Sequence, residues 1–239
     1  MDLGISGRTA LVTAGSKGLG LASAAALAAD GANIVLSARG ADALAAAERQ
    51  LRDGGAEVLA LPGDVNDPSE PERLVAAAHE RFGALDIVVA NSAGPPPGRA
   101  LDVTDEQIVA AVNANLLTSV RLVRAAIGPM RASGWGRICC ITSYSVHQPL
   151  PGLALSNTAR AGLLAWAKTA ATDLFGDGIT LNLICPGHHA TDRMKELGGS
   201  GPMGDPADFG RAVAFLCSAS AAFITGTTLT VDGGATVGI

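Results

Sequence analysis

Thr13-Ala14-Gly15-Ser16-Lys17-Gly18-Leu19-Gly20 is the stretch whose reading decides the fold. It follows an apolar run at 8–14 (RTALVTA) and opens an Ala-rich segment at 18–30. Glycines let a backbone turn tightly and approach a pyrophosphate, and the N-terminus of a following helix supplies free N–H groups and positive dipole. A glycine-rich turn alone says little. A strand before it and a helix after it make it a candidate dinucleotide-binding loop.

Outward from this loop, the runs 32–38 (ANIVLSA), 57–61 (EVLAL), 85–90 (LDIVVA), 137–142 (RICCIT), 179–184 (ITLNLI) and 228–231 (TLTV) read as strands. Each is rich in Val, Ile or Leu, and several are apolar on both faces, as buried parallel strands are. Helices are expected at 18–30, 41–53, 68–82, 104–132, 155–175 and 205–219. Asp67-Pro68 and Asp205-Pro206 read as N-caps followed by Pro at the first helical position. The strict alternation predicts an α/β fold, a Rossmann-type doubly wound parallel sheet of about seven strands with helices on both faces. No linker, repeat or low-complexity tract interrupts it, so residues 1–239 form one domain. The segment 188–204, with Gly198, Gly199, Gly201 and Gly204 beside Pro202, follows a strand's C-terminal end. It reads either as a surface connection or as a short substrate lid.

Of the 239 residues, 48% are apolar, which excludes a disordered chain. Only 16% are charged, against about 25% in an average domain. So little charge implies surface buried between subunits, hence a homo-oligomer. The net charge of −5 argues against nucleic acid and anionic membrane partners, which want a basic stripe. No apolar run approaches the ~18–20 residues of a membrane span. The start, Met1-Asp2-Leu3-Gly4, lacks the basic n-region of a signal peptide. The four cysteines, at 139, 140, 185 and 217, show no C-x-x-C spacing. Cys139 and Cys140 read as small core residues, a cytoplasmic location is expected, and no metal site is.

Further motifs join the loop. Asp64-Val65 follows the third strand, Asn91-Ser92-Ala93-Gly94 the fourth, and Val112-Asn113-Ala114-Asn115-Leu116 lies on the fourth helix. Asn182 to Gly187 forms an N-x-x-x-P-G segment with Thr191 beyond it, and Ile224-Thr225-Gly226 leads to Val231-Asp232-Gly233-Gly234. With these motifs the chain resembles the classical short-chain dehydrogenases/reductases, near the bacterial 3-oxoacyl-carrier-protein reductase-like group, over nearly its whole length. The resemblance implies a dinucleotide held by Thr13, Gly15, Ser16, Lys17, Gly18, Leu19 and Gly20. It adds an adenine contact at Asp64 and Val65 and further contacts at Asn91, Ala93, Gly94, Pro186, Gly187 and Thr191. It also implies pairing of subunits, most simply into a tetramer, through 104–132, 155–175 and the C-terminal segment. Ala14 departs from the pattern, standing where the family has its first loop Gly, and its methyl is expected to weaken cofactor binding. Charge selects the cofactor. NAD preference needs a carboxylate near the end of the second strand; Ser37-Ala38-Arg39-Gly40 has none, and Lys17 and Arg39 suit a 2′-phosphate. NADP(H) is the expected cofactor.

In the family a Tyr-x-x-x-Lys pair transfers the proton, a Ser 13 residues upstream orients the substrate, and an Asn completes a relay. Ser143 and Asn115 match the last two. Thirteen residues after Ser143 stands Ser156, and four further on Arg160. The one Tyr of the chain is Tyr144, with Gln148 four residues later, so no Tyr-x-x-x-Lys pair exists in it. A Ser hydroxyl is a far weaker acid than a phenol of pKa ~10. Arg stays protonated and does not relay a proton as Lys does, but it binds ribose hydroxyls or an anion. Ser156 and Arg160 share one helix face and read as a binding pair. Among His147, His188 and His189, each alternatively a surface histidine, His188 is favoured as acid or base because it follows Pro186-Gly187 directly. Tyr144 reads as a residue that packs or lines the pocket. Three functions remain open: an NADP(H)-dependent oxidoreductase acting on a carbonyl or hydroxyl of a small molecule; a non-redox dehydratase, cyclase or isomerase; and a non-catalytic cofactor-binding protein.

Overall fold

Neighbouring residues on a strand face opposite ways, and strand β5 (Gly136–Ile141) shows what that produces. Cys139 joins a hydrophobic layer with Val12, Leu27, Leu36 and Phe209, whereas Cys140 joins the other, with Leu11, Leu74, Val123 and Leu163. Both are buried, and burial pushes the Cys140 thiol up to about 12, so they serve as small core side chains. The computed structural model describes residues 2–196, 198, 199 and 201–238; Met1, Leu197, Ser200 and Ile239 lie outside the described residues.

Seven strands form one parallel sheet: β1 (Thr9–Thr13), β2 (Asn33–Ala38), β3 (Val58–Pro62), β4 (Ile87–Ala90), β5, β6 (Ile179–Pro186) and β7 (Thr228–Val231), in the order β3-β2-β1-β4-β5-β6-β7. Ala10 pairs with Ile34 on one side and Ile87 on the other, so the winding reverses at β1. Such a reversal opens a crevice at the C-terminal strand ends, where ligands of this architecture bind. Helices α1 (Gly18–Ala29), α2 (Ala41–Asp53) and α8 (Pro206–Leu216) cover the Cys139 face. Helices α3 (Glu70–Phe82), α5 (Thr118–Ser133) and α6 (Ala154–Phe175) cover the other. Fully buried anchors such as Leu27, Leu74, Leu163 and Phe209 each contribute about 1.5–3 kcal/mol.

The structure differs from the expectations from sequence in five places. The helix expected at 104–132 is broken in pitch: α4 (Asp105–Val112), with a Thr104–Gln107 capping box, runs into a π-helical turn (Asn113–Leu117) before α5. By length and composition the stretch Asp105–Ser133 is long enough and apolar enough to cross a membrane, contrary to the sequence reading; here it packs on α6 and α3, burying Val123, Ala126 and Met130. Asp67 does not cap α3. Its carboxylate accepts from Ser69 N–H and Oγ–H, tightening a turn that delays the helix to Glu70 and leaves Pro68 outside it. Asp205 does cap α8, accepting from Ala207 N–H, but that helix stops at Leu216 rather than 219. Finally, the segment 188–204 contains a short helix, α7 (Asp192–Glu196), with Asp192–Lys195 and Arg193–Glu196 ion pairs. Leu197 and Ser200 of the expected lid lie outside the described residues.

Candidate active site

At the end of β1, two side chains hold the main chain in place. Thr13 Oγ donates to the Asn91 carbonyl (2.7 Å) and accepts from Asn91 N–H (2.9 Å), while Asn91 Nδ2 donates to the Ala14 carbonyl (3.3 Å). This stitches β1 to β4 and fixes the loop between them and α1. Ala14 adopts φ +45°, a left-handed conformation that costs a residue with a Cβ about 1–2 kcal/mol. Gly20 has no such freedom to spare for a side chain: a Cβ there would run into the Ala14 carbonyl oxygen and stand 2.8 Å from Asn91 Nδ2. Lys17 at the N-cap makes no side-chain cap, so the first-turn N–H groups of α1 face the crevice without an internal partner from that side chain. The Thr191 methyl lies over the loop, 3.5 Å from where a Gly18 Cβ would be. Ser16 is half-buried, Leu19 packs on the core, and Lys17 and Arg39 stand exposed at the rim.

Around this loop the other expected binding residues line the same strand ends. Asp64 is exposed and accepts from Asn66 N–H (3.0 Å) and Nδ2 (2.9 Å), while Val65 turns inward onto the core. Ala93 and Gly94 are exposed after β4. Gly187 donates its N–H to the Val231 carbonyl (2.9 Å) and leaves no room for a Cβ beside Asp232, tying Pro186 and Gly187 to the end of β7. Asn115 is buried in the π-helical turn; its Nδ2 donates to the Ala111 carbonyl (3.4 Å) and its Oδ1 accepts from Ser92 Oγ (3.4 Å). The wider turn supplies this geometry, since Thr118 N–H reaches back five residues to Asn113.

The ends of β5 and β6 are built from side chains. Ser143 Oγ accepts from Ser145 N–H (3.1 Å), and Ser156 sits half-buried on the first turn of α6. Arg160 is buried, and its Nη1 donates to the carbonyls of Ile141 and Thr142, both at 3.0 Å. Burial pushes this guanidinium down to about 10, opposed by Cys185 and assisted by Arg193, so it stays charged at neutral pH. Cys185 Sγ lies 3.1 Å from Thr142 Oγ. Tyr144 is buried, with its Oη 3.4 Å from His188 Nε2 and the two rings edge to face at 6.0 Å. Burial, with Asp232 adding to it, raises the phenol above its ordinary value.

The three histidines part company. His188 is exposed and meets Tyr144; His189 is buried, its ring edge on Phe209 at 5.2 Å and its Nδ1 3.3 Å from the Gly187 carbonyl. His147 is exposed beside a cavity of about 310 Å³ lined with Thr228, Thr230 and Thr236. Sequence reasoning missed Arg193, whose Nη2 donates to the Pro95 carbonyl (3.1 Å) and so straps the segment after β6 to the loop after β4. Its signal was the run Asp192 to Glu196, charged at helical spacing inside glycine-rich surroundings.

The family model described as Enoyl-(Acyl carrier protein) reductase matches residues 13–236. Dehydrogenase/reductase SDR family member 4 of Homo sapiens is 33% identical over 244 residues, covering 96% of this chain and 88% of that protein. The 3-oxoacyl-(acyl-carrier-protein) reductase FabG of Vibrio cholerae is 32% identical over 243 residues, covering 97% and 98%. Among solved structures, the L-sorbose reductase of Gluconobacter frateurii, complexed with NADPH and L-sorbose, superposes with a TM-score of 0.93 at 32% identity over 100% of both chains.

Proposed function

The chain belongs to the short-chain dehydrogenase/reductase family of oxidoreductases, and from that membership we propose that it uses NADP(H) to interconvert a carbonyl and a hydroxyl on a small molecule. The observation that carries this reading is the cradle at the end of β1, where Gly20 admits no side chain and the N-terminus of α1 opens toward the crevice. Such a surface takes a pyrophosphate. NADP(H) rather than NAD(H) follows from Lys17 and Arg39 at the rim and from the missing acid in Ser37-Ala38-Arg39-Gly40. The solved L-sorbose reductase complex with NADPH supports the same choice.

When bound, NADP(H) supplies or accepts the hydride. The chain supplies position. Ser143 orients the substrate oxygen, and Asn115 is held buried beside Ser92. The helix positions that carry Tyr and Lys in the family carry Ser156 and Arg160 here, an atypical pair. Arg160, anchored by two carbonyls at the end of β5, holds the ribose or a substrate anion, and Ser156 leaves volume for substrate or water. The segment 188–204 covers the substrate, strapped by Arg193. The working form is a homo-oligomer, most simply a tetramer; the low charge and the exposed Leu101, Val109 and Phe223 support that.

Fluorescence titration with NADPH and NADH, followed by NADPH absorbance across a carbonyl panel, tests the reading. We expect tighter binding of NADPH and its consumption with at least one carbonyl. Tighter NADH binding defeats the cofactor choice. Substrate turnover without nicotinamide change would mark a dehydratase, cyclase or isomerase instead. Light scattering that finds only a ~24 kDa particle at micromolar concentration rejects the oligomer.

A further inference from the structure

We propose that Tyr144 is the acid that protonates the substrate oxygen and that His188 resupplies its proton, an inference that rests on the carbonyl reduction read above. The position 13 residues after Ser143 holds a serine with too weak an acid and too short a reach, and the chain's one phenol stands elsewhere. That phenol directly follows Ser143 at the C-terminal end of β5. His188 directly follows Gly187 at the C-terminal end of β6, so two strand ends bring Oη and Nε2 to 3.4 Å. The pair is graded in access: Tyr144 is buried and His188 is exposed. An inner donor and an outer group in contact with water form a route for one proton. The route lies beside the dinucleotide loop, because Thr191, three residues beyond His188, covers Gly18; three residues span at most about 11 Å.

The step balances. With NADPH bound, the carbonyl carbon would gain its hydride and the C=O π pair would move onto oxygen. The Tyr144 O–H bond breaks and its proton forms the product O–H bond. The phenolate then takes the Nε2 proton of His188 in its imidazolium form, and His188 regains a proton from solvent, so one carbonyl, one NADPH and one proton give one alcohol and one NADP+. Other charged or titratable groups meet this site from each neighbouring element. Asp232 stands beyond β7 and Cys185 on β6, Arg160 on α6 grips the Thr142 carbonyl, and His147 closes the turn that begins at Tyr144. Burial and Asp232 keep the phenol protonated at neutral pH, as a donor must be.

Because Tyr144 is the only tyrosine, phenolate absorbance titrates it alone, with or without NADPH. His188→Phe keeps an aromatic edge and removes Nε2. We expect it to raise the Tyr144 midpoint by about half a unit or more, since the N–H donor to the phenolate is gone. Tyr144→Phe is expected to lower kcat about a hundredfold or more, with NADPH affinity held within twofold. An unmoved midpoint in His188→Phe overturns the pairing, and this readout needs neither activity nor a Tyr144 variant. Unchanged kcat in Tyr144→Phe, in an enzyme whose wild type consumes NADPH, overturns the donor assignment and leaves the carbonyl-reductase reading standing. A wild type that binds NADPH but consumes it with no carbonyl overturns that reading, and this inference with it.

Discussion

The end of β1 and the end of β5 face the same crevice but are made of different material. At β1 the Thr13 and Asn91 side chains hold main-chain groups in place, with Gly20 hemmed in by the Ala14 carbonyl on one side and Asn91 Nδ2 on the other. At β5 the contacts are made by the side chains of Ser143, Tyr144, Arg160 and His188. A backbone site tolerates few residues at its close approaches. A side-chain site keeps its scaffold while its chemistry is exchanged, as Ser156 and Arg160 show. The comparison predicts that damage at β1 is general and damage at β5 is selective.

The largest effect is expected at Gly20. Gly20→Val should cost about 3 kcal/mol in stability through overpacking, and NADPH affinity should fall at least a hundredfold as the loop shifts. Calorimetry and fluorescence titration measure both; a fully stable variant that binds normally would erase the contrast between the two regions. Next comes Arg160→Met, which leaves the Ile141 and Thr142 carbonyls without Nη1. We expect about 2 kcal/mol of destabilisation, whereas Ser156→Ala should stay within about 0.5 kcal/mol, as denaturant midpoints would show. Equal losses in the two variants would mean that the helix face works as one unit.

The gap between sequence and structure follows the same division. Gly18 and Gly20 could be read in advance, the first because its φ of +54° favours glycine and the second because close backbone approach leaves no room for a Cβ. The Cys139–Cys140 pair, too, was legible, because alternation on a buried strand sends neighbours to opposite layers. Asn115 was found by position, but not the π-helical turn that holds it, since one extra residue in a turn leaves no compositional mark. Tyr144 and His188 lie 44 residues apart, and nothing in either neighbourhood announces that two parallel strands bring them together. Arg160 was legible as a cation on the correct face; that its Nη1 is already committed to two carbonyls was not.

Two smaller effects sharpen the contrast within the backbone site itself. Arg39→Ala should weaken NADPH about tenfold, near 1.4 kcal/mol, while leaving NADH unchanged, because only the 2′-phosphate meets that cation. An equal loss for both cofactors would assign Arg39 to the shared part of the dinucleotide. Ala14→Gly is the smallest and has the opposite sign. With φ at +45°, replacing the methyl should raise stability by up to about 1 kcal/mol, read as a higher Tm. A lower Tm would show that the loop depends on the methyl.

The π-helical turn at Asn113–Leu117 also works as a phase shifter. Each residue of an α-helix advances the side-chain direction by about 100°, so one residue more in a turn swings everything after it by roughly that angle. Before the turn, Ala111 points to Leu155 and Ala159 of α6; after it, Leu122, Val123 and Ala126 point into the layer shared with α3 and the sheet. A single rod of backbone thereby serves two neighbours without a loop. Loss of one residue between 113 and 117 would change composition hardly at all, yet it would put the whole of α5 out of phase with its core.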